Sequence, residues 1–152
     1  MDRQKLDAIL ARKLPVFTAS GLNCAETVLS TMCAYWDVES PLIPRIATPF
    51  GGGLAATRGV CGAVSGALMA IGLRLGREEG GDREAAYTAA RRYMEWFEAN
   101  YGTRDCADLI GLRRGEPGDS RHHGDAHVRV CRPLVIAACE HLANLFPQPL
   151  TL

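Results

Sequence analysis

Along most of the chain apolar residues recur at helical rather than strand spacing, and glycine and proline crowd the gaps between the periodic stretches. Leu6, Ile9, Leu10 and Leu14 predict a first helix that ends or kinks near Pro15. Ser20-Gly21-Leu22 reads as a turn. Asn23, with Glu26 at the position that completes a capping box, then makes Cys24 the first residue of a second helix. Ala25, Val28, Leu29, Met32 and Cys33 form its apolar stripe, which residues 36–41 break, and a short helix is predicted over 41–48. Pro49-Phe50-Gly51-Gly52-Gly53 interrupts the pattern before a long apolar helix from about residue 61 to 75, stopped by Gly76. Gly62, Gly66 and Ala70 share one face of that helix, where small side chains let another backbone approach closely.

Farther on, Asp82 is placed to cap the longest helix, with Tyr87, Ala90, Met94, Phe97 and Tyr101 as its buried face. Asp105 caps a short helix opened by Cys106. Residues 113–127, rich in glycine, charge and histidine and without apolar periodicity, are predicted to be an exposed loop. The last helix begins around Pro133, with Val135, Ala138, Cys139, Leu142 and Phe146 as its core stripe. No segment alternates as a strand does. The expectation is an all-α fold, a single compact helical domain of about five helices spanning residues 1–152.

Composition narrows the function classes. Seventeen basic and seventeen acidic residues cancel, which leaves no cationic excess for phosphates and argues against nucleic acid as a partner. The longest apolar run contains glycines and suits a buried helix rather than a membrane span. The charged start leads into an amphipathic stretch, so a cytoplasmic location is expected. In a reducing compartment six cysteines are expected to be free, metal-bound or catalytic rather than a disulfide framework.

The six thiols divide by position. Cys33 and Cys139 fall within apolar stripes, where cysteine acts as a small hydrophobe. Cys24, Cys61, Cys106 and Cys131 are each predicted in or just before the first turn of a helix, where bare N–H groups and the dipole favour a thiolate. Arg58, Arg104 and Arg132 lie close in sequence to Cys61, Cys106 and Cys131 and strengthen that effect. Gly51, Gly52 and Gly53, with Arg58, are the candidate cofactor contacts. Their echo of a dinucleotide fingerprint follows no strand, so the glycines are read as a turn that delivers Cys61. His122, His123 and His127 could add imidazole ligands near Cys131 but are assigned to the solvated loop, and Ser65 is assigned to helix packing.

Asn23-Cys24-Ala25-Glu26-Thr27-Val28-Leu29, Phe50-Gly51-Gly52-Gly53 and Cys61-Gly62-Ala63-Val64-Ser65-Gly66 together resemble the small family named after its C-GCAxxG-C-C cysteine pattern. Cys106 and Cys131 match its two remaining cysteines, and the resemblance runs over roughly residues 21–145. It implies a redox or metal-binding role for Cys24, Cys61, Cys106 and Cys131, with an iron–sulfur cluster or another Cys-ligated metal as prosthetic group and a redox protein as partner.

Three chemistries follow. Four thiolates suit an iron–sulfur cluster or another Cys-ligated metal by ligand softness. Their wide separation in sequence lacks the paired spacing of zinc ribbons and the crowded run of ferredoxins, so tertiary packing must assemble any shared site. Thiol–disulfide exchange needs only pairs of suitable geometry and no cofactor. A non-catalytic, partner-binding module stabilised by zinc is the alternative. A homodimer is expected through the Gly62, Gly66 and Ala70 face. Cys61, followed by a glycine and preceded by Arg58, is expected to be the most acidic of the four thiols.

Overall fold

The computed structural model describes residues 1–117 and 125–150. Among these, six α-helices follow in order: α1 (Arg3–Thr18), α2 (Cys24–Tyr35), α3 (Gly62–Leu75), α4 (Glu84–Tyr101), α5 (Cys106–Ile110) and α6 (Arg132–Leu145). A 3₁₀ helix, Arg45–Phe50, lies between α2 and α3, and a π-helical turn, His127–Cys131, runs directly into α6. The described residues contain no strand, and one isolated antiparallel bridge joins Val60 to Asp105. The all-α expectation is met.

Helix α2 is the centre of the fold. Its capping box forms as predicted, the Asn23 side chain accepting from the Glu26 N–H and the Glu26 carboxylate accepting from the Asn23 N–H. Burial extends beyond the predicted stripe to Thr27, Ser30 and Thr31, because α1, α3 and α6 all pack on it. Helix α1 contributes Leu6, Ile9, Leu10 and Leu14 as expected. It continues past Pro15 to Thr18, carrying Phe17 into the core.

The small-residue face of α3 lies against the start of α2. A Cβ at Gly66 would fall 2.8 Å from the Ala25 carbonyl oxygen and 2.9 Å from its Cα, and one at Gly62 would fall 2.8 Å from the Cys24 Cβ. This face is covered within the chain, so the homodimer expectation loses the surface from which it was argued.

On α4 the buried residues are Tyr93 and Phe97, while Tyr87 is half exposed, so the predicted face is rotated. Two contacts set the rotation: the Tyr93 hydroxyl donates to the Ala63 carbonyl at 3.3 Å, and the Trp96 ring stacks on His141 at 3.9 Å. At the predicted loop, residues 113–117 are exposed. His122 and His123 lie outside the described residues. His127 departs from the expectation, being buried in the π turn with its ring 3.9 Å from that of Phe17. The chain is already helical from residue 125, ahead of the predicted start near Pro133.

The packing makes a paired prediction within α3. Gly66→Ala should destabilise the protein by about 1–3 kcal/mol because Ala25 backbone must move. Gly72→Ala, where an added Cβ meets nothing within 4 Å, should stabilise it by about 0.5–1 kcal/mol. Urea unfolding of both variants checks the opposite signs.

Candidate functional site

Four separate elements deliver the four pattern cysteines. Cys24 opens α2 behind its capping box, and Cys106 opens α5 behind Asp105, whose side chain accepts from the Ala107 N–H. Cys61 is the residue before α3, at its N-cap. Cys131 differs from the expectation. It ends the π turn inside a continuous helix, where the Arg132 N–H donates to the His127 carbonyl, so it has no helix N-terminus of its own.

Backbone pairing joins two of these elements. The Cys61 N–H donates to the Arg104 carbonyl at 2.8 Å, the Cys106 N–H to Gly59 at 2.7 Å, and the Ala107 N–H to Arg58 at 3.1 Å. Before this pairing the chain makes an unusual reversal. Gly52, Gly53, Leu54, Ala55, Ala56 and Arg58 all have φ between +50° and +72°. Gly53 is required twice over, since a Cβ there would also lie 2.6 Å from the Cys106 Cβ. The non-glycine residues in this conformation cost about 1–2 kcal/mol each.

The result is a cavity of about 100 Å³ lined by all four cysteines, with Asn23, Gly52, Gly53, Arg58, Gly62 and His127, and with Leu22, Leu109, Ile110 and Leu134 as apolar walls. Of the candidate cofactor contacts, Gly52, Gly53 and Arg58 are in the lining. Gly51 is not, and a Cβ on it would collide with the Asn23 side chain. Cys33 and Cys139 are buried in the core away from the cavity, as sorted from sequence.

The thiols are electrostatically unequal. The Cys24 thiol donates a hydrogen bond to Cys131, which holds Cys131 below the ordinary thiol range against the opposing effect of burial, with the Arg58 cation adding to the lowering. The same hydrogen bond, together with burial, pushes Cys24 well above that range. Burial pushes Cys106 up to about 11 although an Arg58 N–H donates to it. It pushes Cys61 up to about 12, against the pull of the Ala63 and Val64 amides. The expected acidity of Cys61 is therefore overturned: desolvation outweighs the helix start, and Cys61 lies above Cys33, which burial raises to about 11. Cys131 is the acidic thiol because a neighbouring thiol and a buried guanidinium act on it directly.

Four thiols are a soft donor set compatible with a Cys-ligated cofactor. Their arrangement does not fit a single ion, since no three His, Cys, Asp or Glu side chains among the described residues stand close enough to hold one. The sequence reading placed His127 in a solvated loop and left out the apolar walls. The available signal was that His127 precedes Cys131 by one helical turn and so shares its face.

Fold and site together define a small all-α thiol protein with four cysteines gathered on one buried cavity. The chain belongs to the C_GCAxxG_C_C family, described as "Putative redox-active protein", whose model matches residues 22–145. No curated protein and no solved structure matches it. No helix among the described residues is long and apolar enough to cross a membrane.

The order of acidities is open to measurement. A lowered pKa leaves the thiolate present above its midpoint and removes it as pH falls through that midpoint. Mass-resolved alkylation of the reduced protein should label Cys131 with a midpoint below that of a free thiol. Cys61, held at about 12, should stay unlabelled through neutral pH. Labelling of Cys61 ahead of Cys131 would contradict the assignment.

Proposed function

We propose that the cavity carries out two-electron thiol redox chemistry with Cys24 and Cys131 as the working pair. The observation that carries this reading is that Cys24 and Cys131 line one small cavity together with the buried Arg58 side chain, where Cys24 and Arg58 both act to lower the Cys131 thiol. Cys131, as thiolate, is the nucleophile. Its attack on an incoming disulfide forms a mixed disulfide and releases one thiolate, which takes up a proton. Cys24 then loses its proton and attacks the Cys131 sulfur, closing the Cys24–Cys131 disulfide and expelling the second thiolate. Two electrons have passed from the pair to the incoming disulfide, which leaves as two thiols. Cys61 and Cys106, protonated by burial, line the site without competing for the nucleophile's role.

A second reading, a Cys-ligated cofactor, is favoured by the fact that all four thiols share one cavity. An iron–sulfur cluster there would supply one-electron transfer. Either reading calls for a redox partner.

Titration in a glutathione redox buffer should produce one intramolecular disulfide, assigned to Cys24 and Cys131 by mass spectrometry. Cys24→Ser and Cys131→Ser should each prevent it, and Cys33→Ser should not. Anaerobic purification that yields stoichiometric iron and a visible absorption band, both lost in the Cys131→Ser variant, would favour the cofactor and refute the dithiol.

A further inference from the structure

We propose that the electrophile reduced at this site is a small hydroperoxide, bound in the cavity between the Cys131 sulfur and the Arg58 guanidinium. This rests on the dithiol reading and names its substrate class. Three observations converge on it.

The first is size. Cys131 is 7% exposed, Cys61 5% and Cys106 6%, and the cavity they line holds about 100 Å³. Attack by sulfur requires the electrophilic atom and its leaving group to lie in line inside that space. A molecule of a few heavy atoms fits that space as it stands.

The second is charge. Arg58 is 7% exposed and reaches the cavity from the end of the left-handed segment. Cleavage of an O–O bond throws negative charge onto a small departing oxygen, and a guanidinium fixed in a water-poor site stabilises such charge strongly.

The third is the neighbour. Cys24 lines the same cavity as Cys131, so a sulfenic acid formed on Cys131 has a resolving thiol within that shared space.

The steps balance. The Cys131 thiolate attacks one peroxide oxygen: an S–O bond forms, the O–O bond breaks, and alkoxide or hydroxide leaves and takes the proton given up by Cys24. Cys24, now a thiolate, attacks the sulfenic sulfur: the S–S bond forms, the S–O bond breaks, and hydroxide leaves and is protonated to water by solvent. The two thiols are oxidised by two electrons to a disulfide, and the peroxide is reduced to an alcohol, or to water, plus water. A low-molecular-mass dithiol added as reductant returns the pair to thiols by exchange.

The test uses the reduced full-length protein, mixed rapidly with hydrogen peroxide or tert-butyl hydroperoxide, acid-quenched and analysed by mass-resolved alkylation. Cys131 should be oxidised far faster than glutathione at the same pH. In Cys24→Ser the reaction should stop at a sulfenic acid on Cys131 that dimedone traps. Arg58→Gln, with its fold checked by far-UV circular dichroism, should slow the peroxide reaction by about 100-fold. Arg58→Lys should recover part of the loss. Oxidation of wild-type Cys131 at the glutathione rate, with the Cys24–Cys131 disulfide still forming in glutathione buffer, would overturn the substrate class and leave the dithiol standing. Failure of both oxidants to link Cys24 to Cys131 would overturn both.

Discussion

The site depends on one backbone-to-backbone contact, the approach of α3 to the first turn of α2. Gly62 and Gly66 leave no room for a side chain between the helices: an added Cβ would meet the Cys24 side chain or the Ala25 backbone at less than 3 Å. The approach does two things at once. It seals the core around Ala25, Val28 and Ala63, and it brings the helix that Cys24 opens against the helix that Cys61 caps. A cysteine followed by glycine, with a second glycine one turn on, is thus a packing requirement as much as a chemical one. The pattern keeps two thiols at one cavity because the helices carrying them cannot stand farther apart without opening the core.

Given that proximity, burial becomes the dominant influence on the thiols. A helix start favours a thiolate only while the sulfur retains enough solvation or a close positive partner. Cys61 has the amides of Ala63 and Val64 before it and is still driven to about 12, whereas Cys131 has no helix start and lies below the ordinary range. What separates them is direct partnership: Cys131 takes a hydrogen bond from Cys24 and the field of Arg58. Its negative charge in turn raises the other three thiols of the cavity. The site holds one thiolate readily and resists a second, which suits a nucleophile with a protonated resolving partner.

The helices were legible in the sequence wherever a cap and an apolar period agreed, as at Asn23 with α2 and Asp105 with α5. They were misjudged where tertiary contacts overrode the period. The buried face of α4 follows the Tyr93 bond to Ala63 rather than the stripe through Tyr87, and α2 is buried nearly all round because three helices converge on it. Membership of the cavity was legible for all four cysteines and for Arg58, but the reason for grouping them was partly mistaken. Cys131 was placed at a helix start that a π turn replaces, and the loop reading hid His127. Neither a π turn nor the net effect of desolvation on a thiol leaves a local signature in sequence, since both depend on what packs across from the residue.

The left-handed segment connects these levels. Five consecutive residues, 52–56, and then Arg58 occupy a backbone region that single glycines ordinarily visit, so the conformation must be imposed by its surroundings. Bonds at both ends impose it. The Arg58 and Gly59 N–H groups donate back to Gly52 and Gly53, Thr57 Oγ1 donates to Gly53, and the far side is tied to α5 through Cys106 and Ala107. A more relaxed loop would still connect the 3₁₀ helix to α3. It would not fix the Arg58 side chain in the cavity while Gly59 holds the Cys106 amide. The strain is therefore coupled to preorganisation: the guanidinium is held near Cys106 and Cys131 before any ligand arrives, and a cation already in place needs no rearrangement as charge develops beside it.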